Sequence, residues 1–206
     1  MSGTAARYFH VSHSVTYLSL LAGLGAVVSA KETRSWSAAG ALIALSALAD
    51  TLDGRFARLF KQRAEHHNPF GVQLDSLTDA LAFGLVPVVS YYLLGSFESL
   101  PLRLVWLAAA FFYVTCAITR LGVYNLQRHE HPGFIGLPTT VAGLIWSSLF
   151  LFKPSILFST IMLLACGVAM VSFIPISRSG RLGMALVMGW AILLVVLHGA
   201  SLATHQ

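Results

Sequence analysis

Seven apolar stretches follow one another along this 206-residue chain, at 11–30, 35–56, 72–94, 102–124, 137–152, 156–175 and 182–203. A helix needs about 20 such residues to cross the roughly 30 Å hydrocarbon core of a bilayer. The pattern therefore leaves little room for anything but membrane-spanning helices. Charged residues make up 10% of the chain, against about 25% in a soluble domain. The expected fold is all-α, a multi-pass transmembrane helical bundle of about seven spans, with six to eight allowed by the shorter and more polar stretches. It forms a single domain over residues 1–206, with a core at about 10–175 and an additional C-terminal span at about 182–203. The first stretch is helix-length and lacks a small-residue cleavage site, so it reads as a span rather than a cleavable leader.

The formal net charge is +5. The basic residues sit at span ends rather than on one face, which points to anionic lipid headgroups and away from nucleic acid. With the N-terminus cytoplasmic, the inner side receives Arg7, Arg55, Arg58, Lys61, Arg63, Arg120, Arg128, Arg178 and Arg181. The outer side receives only Lys31, Arg34, Arg103 and Lys153. Excess Lys and Arg on one side sets orientation, so the N-terminus is expected to be cytoplasmic. Cys116 and Cys166 fall within spans, have no metal-type spacing and read as small buried apolar residues. Small residues within the spans are compatible with a homodimer.

All four aspartates, Asp50, Asp53, Asp75 and Asp79, lie in one short part of this apolar sequence. An aspartate near the centre of a spanning helix costs about 2.5–3.5 kcal/mol on insertion scales, which makes it a candidate functional residue. Asp50 and Asp53 are spaced i to i+3 at the end of the second stretch, and Asp75 and Asp79 i to i+4 at the start of the third. Each pair shares one helical face. A short basic connection turns the two helices into an antiparallel hairpin, with both pairs at the same, cytoplasmic, level. Asn68-Pro69 marks the start of the third helix. Capping does not explain Asp50 and Asp53, because a helix C-terminus disfavours acids.

Four converging carboxylates repel one another unless cations intervene. Two divalent ions would balance them, and an all-oxygen donor set suits Mg²⁺ or Mn²⁺ better than Zn²⁺. Paired ions of this kind serve in-line displacement at phosphorus, and one carboxylate can remain free to take a proton from an attacking hydroxyl. Arg55, Arg58, Lys61 and Arg63 stand beside the pairs and suit a diphosphate.

The string Asp50-x-x-Asp53-Gly54-x-x-Ala57-Arg58, followed by Gly71-x-x-x-Asp75-x-x-x-Asp79, resembles the motif of the CDP-alcohol phosphatidyltransferases. Residues 70–80 with Phe83-Gly84 and Pro87, together with Phe134-Ile135-Gly136-Leu137-Pro138, resemble the phosphatidylserine synthase branch. Arg120-Leu121 and Tyr124-Asn125 are similar to another segment of that branch. The resemblance covers about residues 10–175. It implies that Asp50, Asp53, Asp75 and Asp79 hold the metals, with Asp79 also the catalytic base. It further implies that Asp50, Gly54, Ala57, Arg58 and Gly71 contact the CDP group. An alcohol hydroxyl would attack the β-phosphorus of CDP-diacylglycerol and expel CMP. The partners implied are CDP-diacylglycerol, L-serine and membrane lipids. The expected setting is a bacterial or archaeal cytoplasmic membrane, with the site facing the cytoplasm.

Arg120, Asn125, His13 and Thr16 are candidates for binding the acceptor or the diphosphate. Three departures bear on the acceptor. Twelve residues, 59–70, separate Arg58 from Gly71, more than is usual in the family. Val123 stands where the branch carries a second arginine, and His13-Ser14-Val15-Thr16 replaces a Pro-Asn before the first span's threonine. Serine remains the first choice of acceptor, ahead of an inositol phosphate or glycerol phosphate, since no further basic pocket is evident. Another CDP-activated lipid is a variant of the same chemistry. A cation transporter is the alternative of another class, but it would spread its acids through the membrane, and the last three stretches contain none. His66-His67 and His129-x-His131 read as solvated loop residues.

Overall fold

The computed structural model describes residues 10–57, 67–127, 134–173, 175–176 and 181–204. Helices carry nearly all of it, as an apolar environment requires, because a helix satisfies its own backbone groups. They are α1 (Ser14–Glu32), α2 (Trp36–Ala57), α3 (His67–Asp79), α4 (Val86–Leu94), α5 (Leu100–Gln127), α6 (Thr139–Phe150), α7 (Ile156–Val171) and α8 (Arg181–Ala203). A π-helical stretch, Ala80–Leu85, joins α3 to α4, so the eight segments form seven rods. The third rod begins at His67, earlier than the apolar stretch that starts at residue 72.

Among the described residues, four helices are long and apolar enough to cross a membrane: Ser14–Glu32, Phe70–Leu94, Leu100–Leu126 and Leu182–Ala203. The 22-residue α2 is long enough, but it carries Asp50 and Asp53. Two rods are shorter than the sequence suggested, α6 with 12 residues and α7 with 16. At 1.5 Å per residue they measure about 18 and 24 Å, less than the hydrocarbon thickness. The apolar runs overstate these helices because their ends are irregular. Gly136-Leu137-Pro138 precedes α6, and a two-residue antiparallel ladder pairs Phe134 with Ile176 and Ile135 with Pro175.

The central rod is α2, which packs against α1, α6 and α8, while α5 pairs with α7. Buried serines lock the first two helices together. Ser19 Oγ donates to the Ser46 carbonyl at 3.0 Å, and Ser46 Oγ donates back to the Ser19 carbonyl at 2.9 Å. Such interhelical hydrogen bonds supply the specificity that apolar contact cannot supply within lipid. Farther along, Trp36, Tyr91, Trp106, Trp146 and Phe150 interlock, with Tyr91 stacked on Trp106 at 5.2 Å. The Tyr91 hydroxyl donates to the Pro154 carbonyl at 2.9 Å. This aromatic plug fixes the end of the bundle remote from the aspartates.

Gly136 closes the turn that delivers α6. Its φ is +74°, and a Cβ there would lie 2.1 Å from the Met170 carbonyl oxygen. Next to it, the Leu137 amide donates to the Ala169 carbonyl at 2.9 Å, tying this turn to the end of α7. Gly136→Ala combines left-handed strain with a backbone clash and should destabilise the fold by about 2–4 kcal/mol. Thermal unfolding in detergent micelles checks this, and an unchanged midpoint would contradict it.

Candidate active site

The end of α2 and the end of α3 meet, which brings Asp50 together with Asp75 and Asp79. One carboxylate oxygen each from Asp50, Asp75 and Asp79 lies within 4.8 Å of the others. At that separation two like charges repel by roughly 3–4 kcal/mol even at an effective dielectric of 20. The arrangement persists only with compensation, and hydroxyls provide part of it. Thr140 Oγ1 donates to Asp50 Oδ2 at 2.8 Å, and Thr139 Oγ1 donates to Asp79 Oδ2 at 3.1 Å. Both threonines occupy the first turn of α6, whose N-terminal end also favours negative charge. The segment Gly136-Leu137-Pro138 thereby contributes to the site, because it starts α6 directly against the carboxylates.

Asp53 lies beside this trio rather than in it. It lines the same cavity and accepts a hydrogen bond from Thr16 Oγ1 at 3.0 Å. The cavity has a volume of about 210 Å³ and is bounded by all four aspartates, Ser76, Arg120, Leu121, Tyr124, Pro138, Thr139 and Thr140. Among the described residues, Arg120 is the only cationic side chain on its wall. It extends from α5, is 7% exposed, and faces the field of Asp79. Pockets for whole drug-sized ligands run to about 300–1,000 Å³, so this cavity suits the ionic centre of a larger ligand.

The carboxylate set fits a hard divalent cation. Its donors are all oxygens, from two helices, and Asp79 Oδ1 is buried with no hydrogen-bond partner among the described residues. An orphaned carboxylate oxygen this deep is expensive without a cation or donor.

Other candidates from the sequence are placed less directly. Gly54 and Ala57 continue α2 past Asp53, and Arg58 lies outside the described residues, as do Lys61, Arg63 and His66. Gly71 lies on α3 against the ring of His13, where an added Cβ would be 3.0 Å from Cε1. His13, 3% exposed, also meets the Phe70 ring edge-on at 5.5 Å and does not line the cavity. Thr16 acts on the site through Asp53. Asn125 is turned to Ser76, donating from Nδ2 to Ser76 Oγ at 2.9 Å, and does not line the cavity itself.

Sequence reasoning did not single out Thr139, Thr140 or Ser76, and it gave Tyr124 no role at the site. A pair of hydroxyl residues straight after Pro138, at a helix start, was the available signal for the first two.

Fold and site together define an integral membrane protein with a carboxylate centre at one end of its helical bundle. The sequence model of one family, CDP-alcohol phosphatidyltransferase, matches residues 9–173, and the chain belongs to that family. Among curated proteins it is similar to the CDP-diacylglycerol--serine O-phosphatidyltransferase of Mycobacterium bovis, 29% identical over 180 residues, which cover 80% of this chain and 60% of that protein. It is similar to the protein of the same name from Methanocaldococcus jannaschii, 32% identical over 164 residues, covering 79% of this chain and 71% of the relative. The archaetidylserine synthase of Methanothermobacter thermautotrophicus is 33% identical over 150 residues, covering 72% and 62%. The chain thus spans about 60% of the length of the mycobacterial relative.

Proposed function

We propose that this protein transfers a phosphatidyl group from CDP-diacylglycerol to the hydroxyl of L-serine, releasing CMP. The observation that carries the reading is the trio Asp50, Asp75 and Asp79 converging on a cavity that also holds Arg120. Family membership and the activities for which the relatives are named support this reaction and this acceptor.

Asp50, Asp53, Asp75 and Asp79 would hold two divalent cations, Mg²⁺ or Mn²⁺. Bound there, such ions would neutralise the diphosphate and stabilise the departing phosphate oxygen. The protein's own groups do the rest. Thr139 fixes Asp79 through Oδ2 and leaves Oδ1 to accept the proton of the attacking hydroxyl. The serine oxygen bonds to the β-phosphorus, the bond from that phosphorus to the oxygen bridging it to the α-phosphorus breaks, and CMP departs with that oxygen. Arg120 suits the carboxylate of the acceptor, since a guanidinium can pair with it through two parallel hydrogen bonds. On this reading Gly54, Ala57, Arg58 and Gly71 would contact the cytidine and its phosphates, as the family motif implies.

Arg120, the only cation on the wall among the described residues, matches the single carboxylate of serine, which favours serine over inositol phosphate or glycerol phosphate. A transport path would need acids along the bundle, whereas the aspartates sit at one end. The Lys and Arg bias supports a cytoplasmic position for that end, where CDP and serine would enter while the diacylglycerol lies in the bilayer.

Purified protein supplied with labelled CDP-diacylglycerol, Mn²⁺ and a panel of alcohols is the test. Serine-dependent CMP release with formation of phosphatidylserine is expected. Product from another alcohol but not from serine would overturn the acceptor, and no CMP release with any alcohol would overturn the chemistry.

A further inference from the structure

The rod that presents Asp75 and Asp79 is interrupted immediately after Asp79. The interruption is held open from outside the rod. Ala80–Leu85 is π-helical, and the Val86 amide reaches back five residues to the Leu81 carbonyl. Pro87 follows, inside the continuous rod, and brings no N–H. The Phe83 carbonyl, four residues earlier, therefore loses the amide it would bond in an α-helix. Its partner comes instead from α5, where the Tyr113 hydroxyl donates to it at 2.7 Å, with both residues fully buried.

A second contact fixes the same residue. The Phe83 ring lies on Gly143 of α6, so close that a Cβ there would sit 2.5 Å from Cδ1. Gly143 stands one turn beyond Thr139, the residue that holds Asp79. The backbone just past Asp79 is thus pinned by a hydroxyl from α5, and its ring is seated on the helix that grips the Asp79 carboxylate. π-Turns of this kind change the phase of a helix and recur at functional sites.

We infer that Tyr113 is a positioning residue: by capping the carbonyl that Pro87 leaves open, it maintains the π-turn that aims Asp79 at Thr139 and the metal-binding cavity. This rests on the transfer activity proposed above. Wild-type protein inactive with every alcohol would remove that reading alone, because the effect on the π-turn is also read without substrate or metal.

The experiment compares wild type, Tyr113→Phe, Pro87→Ala and the double variant in detergent. Turnover and KM are read from CMP release, and backbone amide exchange over residues 80–90 is read by mass spectrometry on metal-free protein. Leaving a buried carbonyl open should lower kcat of Tyr113→Phe about tenfold, with KM for the lipid within about twofold, and speed exchange about tenfold. Pro87→Ala restores an amide at that position, so the double variant should match Pro87→Ala in kcat and exchange within about twofold.

Wild-type kcat in Tyr113→Phe would overturn the inference, as would an undiminished loss in the Pro87→Ala background. If Tyr113→Phe does not fold, the Pro87→Ala pair decides: equal kcat and exchange with and without the hydroxyl support it. Loss of folding or of activity in the double variant overturns it.

Discussion

Asp79→Asn is expected to abolish turnover while leaving the site largely assembled. The asparagine carbonyl can still accept from Thr139, so the contact seen at Asp79 Oδ2 survives. What disappears is the oxygen that would take the proton, since an amide nitrogen in its place is a donor with no basic lone pair. General-base removal typically costs about 10²–10⁴-fold, and a loss near the upper end is expected because Asp79 is 9% exposed and sheltered from solvent bases. Metal-dependent binding of CDP, followed by calorimetry, should persist with three carboxylates in place. Full activity in this variant would remove Asp79 from the role of base.

Stripping divalent cations should have an effect of similar size on activity and a separate one on stability. Without cations, Asp50, Asp75 and Asp79 face one another within 4.8 Å, and Arg120 is the only cation on the cavity wall among the described residues. Chelation is therefore expected to stop CMP release and to lower the midpoint of thermal unfolding. A ligand at 100 times its Kd stabilises by about 2.7 kcal/mol, equivalent to roughly 5–10 °C for a chain of this size. Mn²⁺ or Mg²⁺ should restore both readouts, and equal ionic strength of a monovalent salt neither. In Asp50→Ala/Asp75→Ala the thermal shift should vanish. Activity that withstands exhaustive chelation would contradict the metal-centred account.

Much of this site was legible because it is local. Asp50 to Asp53 and Asp75 to Asp79 follow helical spacing, and the short connection between α2 and α3 forces the pairs to one end of the bundle. Residues that complete the site are not local. Thr139 and Thr140 reach their aspartates across 60 and 90 residues, and no periodicity in the sequence announces such contacts. Asn125 looked like a ligand by its place in a motif, yet it serves Ser76, a residue given no role of its own there. Likewise, the run at 72–94 reads as one regular helix. Only Pro87 hints at the π-turn, and its consequence depends on a tyrosine 26 positions away along another helix. Apolar runs also measure hydrophobicity rather than helix length, which is why α6 and α7 proved shorter than their stretches.

Carboxylates from α2 and α3 are proposed to share divalent cations. Anomalous diffraction from crystals of the full chain grown with Mn²⁺ addresses it directly. Strong peaks are expected between the side chains of Asp50, Asp75 and Asp79, with Asp53 alongside, and their loss in Asp50→Ala/Asp75→Ala. Crystals that show these carboxylates turned apart, or bare of Mn²⁺ at saturating concentration, would contradict it.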